Sequence, residues 1–449
     1  MLLTDLNAAG GIGANCLLLQ LDSMNIVIDA GIHPKQIGAA ALPRLERLRD
    51  LPIDLIFLTH CHLDHLGALP LLARDNPNTP IITSRDSEQF YKRMLQNSYR
   101  VMDRQRVELG IGEYPLYSYR DITACSRQVI GLPPGQPRHF ESDSGERITF
   151  TLHDAGHVPG AVGISLEHRH RRILHTGDVL FSDTALLDGA RFPGGDVDTM
   201  IIETTRGATQ RQASRASELE RLLSTIEHTA SHGGSTLIPV FALGRMQELL
   251  GVFHRARSEG RIKRLPIYVS GLGIDLMGQF DKIARKNPRL HMRKKMFREM
   301  GAMKLPQNHR PGRDGPAIYL LSSGMMVENT PSYGAAAELL GSHQNTICFV
   351  GYCDPDTPGG KLLKLRQGEK FLFKALRKTV QALAHIEKFD LSSHADREDI
   401  LQDAMARHPR AVVLTHGDQE ARDWFKEQIH LLDPACQITD PPPLKSIRV

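Results

Sequence analysis

Residues 55–70 read LIFLTHCHLDHLGALP. An apolar run ends there in four potential metal ligands within six residues: His60, His62, Asp64 and His65. Four ionisable or polar groups beside an apolar strand cost free energy to bury unless something shared compensates them. A bound metal ion does so. Residues i and i+2 of an extended segment project to the same side, so His60 and His62 can grip one ion together. Asp64 and His65 fall one step further on, which suits two ions side by side better than one closed tetrahedron. Imidazole and carboxylate donors without a cysteine pattern favour Zn2+, with Mn2+ or Fe2+ as the alternatives. Cys61 lies inside the cluster, and its side chain is expected to point away from those of His60 and His62 and to pack.

Working outward, other short apolar runs stop at residues of the same chemical kind. NIVIDAG reaches Asp29, ITFTLHDAGHVPG reaches His157, and RRILHTGDVLF reaches Asp178. TMIIETTRG reaches Glu203, and AVVLTHGD reaches His416. Runs of this length, rich in Ile, Val and Leu and closed by Gly or Asp, predict β-strands. Six strands ending in Asp, Glu or His predict that their ends converge on one site, held by a rigid sheet. Any one of these residues alone would read as a turn former. His153 and His175 lie within strands and read as packing or surface groups. His33, His168, His170, His291 and His343 have no partner pattern and read as solvated.

The bulk numbers set the class. At 449 residues the chain is long for one core, which predicts two domains. A hydrophobic content of 41% and a charged content of 24% are ordinary for a globular protein and exclude a disordered one. The formal net charge is only +4, so the placement of charge matters more than its sum. The six cysteines are scattered without CxxC spacing and read as reduced thiols. No window approaches the ~18 apolar residues of a membrane span, and the first residues lack a signal-peptide pattern. The expected location is the cytoplasm.

With these segments in hand, THCHLDH resembles the HxHxDH signature of the metallo-β-lactamase fold, and GH at His157 and TGD at Asp178 follow in the family's order. A long segment after IIETTRG contains LIPVFALGRMQELL (237–250), YLLSSGMMVENTP (319–331) and FVGYCDPDTPGGKLL (349–363), followed by FDLSSHAD and VVLTHGD. Together these resemble the β-CASP nucleases, nearer to the single-chain, cleavage-factor-like branch of bacteria and archaea, over roughly residues 10–420. The resemblance implies an α/β chain: an αββα sandwich with an inserted α/β β-CASP domain. It implies that His60, His62 and His157 hold one ion, that Asp64 and His65 hold a second, and that Asp178 bridges two Zn2+ per chain. His416 would complete the second ion's shell. In the DNA-processing branch that position carries Val, so His416 implies RNA, single-stranded, as the partner. His394 would be the general acid, with Glu203 hydrogen-bonded to it, and Asp29 would orient a ligand from behind. The implied activity is a zinc-dependent ribonuclease, endonucleolytic, with 5′-exonuclease activity as a second expectation. A DNA nuclease of the same fold and a non-catalytic RNA-binding scaffold are the competing readings. The chain departs from the family pattern at ETTRG, where Arg206 replaces the usual Tyr, and in the bulkier VENTP loop (327–331).

The domains are expected at 1–205 and 366–449 for the lactamase-like part, with the insert at 206–365. RQASRASELERLLSTIEHTA predicts a helix of the insert, and STLIPVF, LPIYVSG and AIYLLSS predict strands of a parallel sheet. Residues 285–304 hold eight Lys or Arg against one acid, Glu299. This run reads equally as a solvated face or as a stripe for a phosphate backbone. A second run, KLLKLRQGEKFLFKALRK, reads as a further contact or a surface helix. With aromatic residues at 6%, no stacking pattern for base-specific reading is expected.

Overall fold

The computed structural model describes residues 1–449 and divides the chain into two compact units. The first comprises Met1–Asp183, Gly189–Gln210 and His394–Val449; the second comprises Thr184–Asp188 and Arg211–Ser393.

Two seven-stranded sheets form the first unit. In one, Met24–Ile28 lies between Leu17–Leu21 and Leu55–Phe57. In the other, Thr199–Glu203 lies between Arg171–His175 and Ala411–Thr415, parallel to both. The inner faces pack on each other: Leu19, Ile26 and Phe57 of one sheet share a core with Leu152, Ile164 and Val413 of the other. Phe57 meets Phe150 edge to face at 5.1 Å between ring centroids. Met24–Ile28 and Thr199–Glu203 are buried along their whole length, because helices cover the outer faces as well, and a strand covered on both sides is apolar throughout. Ile400 of helix Arg397–Met405 and Phe425 and Ile429 of helix Gln419–Leu432 pack on Met200, Ile202 and Leu414. The long helix Arg85–Glu108 starts where Ser84 accepts a hydrogen bond from the Ser87 N–H at 3.0 Å. This is the αββα sandwich, and all six strands expected to end in Asp, Glu or His are strands.

The second unit is built on a six-stranded sheet ordered Ala302–Lys304, Ile267–Val269, Ile318–Leu321, Thr236–Pro239, Thr346–Phe349, His385–Lys388. Every pairing within it is parallel. Helix Arg215–Ser231 stands where the apolar spacing puts it. The return to the first unit was expected at residue 366, whereas His385–Lys388 pairs with Thr346–Phe349 and the chain re-enters the first unit at His394. The physical reason is a sheet edge: the backbone of 346–349 needs a partner, and 385–388 supplies it. KLLKLRQGEKFLFKALRK is likewise not one helix, since Lys370–Phe373 and Lys378–Gln381 form a hairpin. No helix is long and apolar enough to cross a membrane.

One glycine ties the fold to the segment that carries His60, His62, Asp64 and His65. A Cβ on Gly31 would lie 1.6 Å from the backbone oxygen of Asp64, so only glycine lets the turn after Ile28 approach that loop. Gly278, inside helix Gly271–Ala284, has nothing within 4 Å of the same position. Gly31→Ala should therefore destabilise by about 1–3 kcal/mol, and Gly278→Ala should stabilise by about 0.5–1 kcal/mol. Denaturant titration checks both; a Gly31→Ala midpoint equal to wild type would contradict the packing described.

Candidate metal centre

All of the ligand candidates lie in the first unit, on turns that follow its strands. His60 and His62 follow Leu55–Phe57, and Asp64 and His65 sit in the single helical turn Leu63–Leu66. His157 follows Arg147–Asp154, Asp178 follows Arg171–His175, and His416 follows Ala411–Thr415. Two groups result. In the first, the ligand atoms of His60, His62 and His157 lie within 4.8 Å of one another. The His60 and His62 rings meet at 76°, and His62 and His157 at 90°, so three imidazoles converge nearly perpendicular to one another. In the second, Asp64, His65 and His416 come together, with His416 Nε2 3.4 Å from Asp64 Oδ2.

Asp178 stands between the two groups. Its Oδ2 is 3.7 Å from Nε2 of both His60 and His157 and 3.3 Å from Nε2 of His65, and its Oδ1 is 3.4 Å from Nδ1 of His416. Burial opposes the charge on Asp178, but His416 and His65 outweigh it and hold the carboxyl well below the usual range. Asp64 behaves likewise: burial opposes its charge, and His65 and His416 keep it ionised. Burial and the neighbouring His65 push His60 well below its ordinary value, leaving a neutral imidazole.

These residues fit a metal. His60 Nε2 is buried and has no hydrogen-bond partner, a costly state for a polar atom that a cation among the three imidazoles relieves. A neutral imidazole is the form that ligates. The donor set, histidine and aspartate only, is the one suited to zinc, iron or manganese. Cys61 is buried beside it, and its Sγ donates to the Ser87 carbonyl at 3.3 Å.

The supporting contacts are as specific as the ligands. Asp29, with φ of 63°, accepts from the Thr59 N–H and Thr59 Oγ1 at 2.7 Å each, and its Oδ2 lies 2.7 Å from Nδ1 of His65. That contact fixes the ring and turns Nε2 toward the centre, where it also lies 3.1 Å from Nδ2 of Asn15. His416 also has a positive φ, 48°, sparsely populated for a residue with a Cβ and frequent at functional sites. Glu203 accepts from the Val179 N–H at 2.6 Å and from Thr205 Oγ1. Nδ1 of His394 is 2.8 Å and 3.0 Å from its two oxygens. Burial disfavours charge on His394, but Glu203 prevails and raises the imidazole above its ordinary value. The His394 ring lies 4.5 Å from that of His157 between centroids.

Sequence reasoning missed Thr59, Thr205 and Asn15, whose Nδ2 donates to the Asp64 carbonyl at 3.0 Å. Thr59 and Thr205 adjoin the motifs in sequence, but threonine is common in strands and gives no signal alone. His153 and His175 are not in the centre; burial lowers each to about 4. His168, expected to be solvated, is buried and lies 2.8 Å from Glu146, because strand alternation turns it inward at the end of Val162–His168.

Comparison with known proteins agrees with this architecture. The metallo-beta-lactamase superfamily matches residues 9–227, the Beta-Casp domain residues 246–362, and the Zn-dependent metallo-hydrolase RNA specificity domain residues 379–433. Among curated relatives, Integrator complex subunit 11 of Danio rerio is 26% identical over 437 residues, covering 95% of this chain and 70% of its own. Transcription termination factor FttA of Pyrococcus horikoshii is 29% identical, covering 93% and 66%. Probable RNase MJ4 of Methanocaldococcus jannaschii is 31% identical over 245 residues, covering 54% of each chain. This chain thus spans between about half and 70% of the length of these relatives. A solved structure of a protein of unknown function from Enterococcus faecalis V583 shares the fold, with a TM-score of 0.56 at 14% identity, covering 100% of this chain and 99% of the other. The chain belongs to the metallo-β-lactamase superfamily of metal-dependent hydrolases, in the branch that carries a Beta-Casp domain.

Proposed function

We propose that this protein is a cytoplasmic ribonuclease that hydrolyses phosphodiester bonds of single-stranded RNA, endonucleolytically, with two zinc ions per chain. The observation that carries the reading is the pair formed by His394 and Glu203 standing against the two histidine and aspartate groups. A metal site alone serves many hydrolyses; a histidine beside it whose charged form a carboxylate favours adds a proton donor for a leaving oxygen.

In this reading His60, His62 and His157 would hold one ion, Asp64, His65 and His416 would hold the other, and Asp178 would serve both. When bound, the ions supply charge neutralisation at phosphorus and make the attacking water acidic enough to react near neutral pH. The chain's own groups do the rest. Asp29 holds Nδ1 of His65, so that Nε2 is presented to the centre. Glu203 occupies Nδ1 of His394 and favours its charged form, which leaves Nε2 to deliver the proton. The Val179 N–H and Thr205 hydroxyl keep Glu203 from turning away. Most of these side chains are buried, which a flexible single strand can reach and a stiff duplex cannot. The free, buried state of all six cysteines suits a reducing compartment.

The second unit supplies a surface for the backbone of the RNA. Arg285, Lys286, Lys294, Arg298 and Lys304 are exposed, while Glu299, the one acid of this run, is occupied by Lys295 and His254.

Two experiments test the proposal. On end-labelled RNA, His394→Ala should lower kcat by about 10²–10⁴-fold with metal content unchanged, and matched DNA should stay intact. Glu203→Gln should move the alkaline limb of the pH profile to lower pH, since losing the carboxylate lowers the His394 pKa and the acid is lost as pH rises through it. Wild-type rates for His394→Ala would refute the assignment; a fully metallated protein that cuts no nucleic acid would favour a scaffold. Separately, replacing Lys286, Lys294 and Arg298 together with Gln should reduce the slope of log KM against log salt by about 2, at roughly 0.7 per phosphate contact, with kcat unchanged. An unaltered slope would remove this surface from the RNA path.

A further inference from the structure

The chain leaves the first unit after Gln210 and re-enters it at His394. The outgoing and returning segments carry, within a few residues, the two members of the proton-donating pair: Glu203 just before the exit and His394 at the re-entry. Two contacts tie these segments together besides the pair itself. Arg206 Nε lies 3.1 Å from Asp396 Oδ1, with the side chains only 10% and 16% exposed. Arg397 Nη1 donates to the Gly207 carbonyl at 3.1 Å.

Asp396 is the telling member. It occupies the N-cap position of helix Arg397–Met405, where an aspartate ordinarily accepts from the helix's first free N–H groups. It makes no such capping bond, and its carboxylate faces Arg206 instead. Arg206 is itself set by a tight turn, since its carbonyl accepts from the Thr209 N–H at 2.9 Å and Gly207 N–H donates to the Thr204 carbonyl at 3.0 Å. On the returning side, the Ala395 N–H donates to the Val179 carbonyl at 2.6 Å, and Val179 N–H in turn donates to Glu203.

We propose that Arg206, through its ion pair with Asp396, is a positioning residue for His394: it clasps the returning segment to the outgoing one, so that the imidazole is held at the orientation in which it serves the leaving oxygen. The inference rests on the reading of His394 as the general acid. Residues 394–396 enter straight from the second unit, and the ion pair adds to the Ala395 backbone bond, the Arg397–Gly207 bond and the Glu203 contact in fixing their place. A displacement of about 1 Å at such a group costs on the order of 10²-fold in rate.

The test compares Arg206→Met, Asp396→Asn, the double variant and Arg206→Lys in the full chain, each with metal content and melting temperature measured. Two RNAs are used, one natural and one with sulfur in place of the leaving oxygen at the cleaved bond, because a thiolate leaves without protonation. On natural RNA, Arg206→Met and Asp396→Asn should each lower kcat by roughly 10- to 100-fold with KM and metal content unchanged. The double variant should be no worse than either single one, as partners in one contact are not additive, and Arg206→Lys should retain most of the rate. On the sulfur substrate, the deficits should shrink to within about threefold, as should that of His394→Ala. Full kcat in Asp396→Asn, or an equal deficit on both substrates, overturns the clasp. If His394→Ala is not relieved by sulfur, the reading of His394 fails first and takes this inference with it. Relief for His394→Ala without relief for Arg206→Met overturns the clasp alone.

Discussion

The carboxylate of Asp178 is buried with four imidazoles around it, those of His60, His65, His157 and His416, at 3.3–3.7 Å. Burying one carboxylate among neutral imidazoles would leave its charge uncompensated, and protonating them all would bury mutually repelling cations. In the proposed reading, a divalent ion on each side would remove both difficulties. The remaining features follow from this constraint. The two groups need strand ends that do not move, and the double sheet with its covered outer faces provides them. They need ring nitrogens aimed inward, and Asp29 does this for His65 from a left-handed backbone position. Glu203 makes the analogous contact to Nδ1 of His394.

Much of this could be read from the chain before folding. HxHxDH, GH at 157 and TGD at 178 are legible because costly groups cluster next to apolar strands, and few other purposes account for that. The convergence of six strand ends was legible for the same reason. The parallel sheet of the second unit was also visible, in the short Ile, Leu and Val runs between helical spacings. The second unit's end was not. His385–Lys388 joins its sheet through backbone bonds that side-chain patterns do not encode.

Contacts between residues distant in sequence and ordinary in type were equally silent. Asn15 on Asp64, Thr205 on Glu203 and Arg206 on Asp396 link positions whose partners only folding defines. His168 is instructive because it looked solvated: one strand's alternation turned it toward Glu146. Arg206 stood out in sequence only as a departure from the family pattern, and its partner gives that departure a physical meaning.

The central claim, that Asp178 is shared by two ions, is tested most directly by anomalous diffraction at the zinc edge from crystals of the metallated protein. The account predicts two peaks flanking Asp178, one among His60, His62 and His157 and one among Asp64, His65 and His416. A single peak, or a second one held by Glu203 and His394, would contradict it.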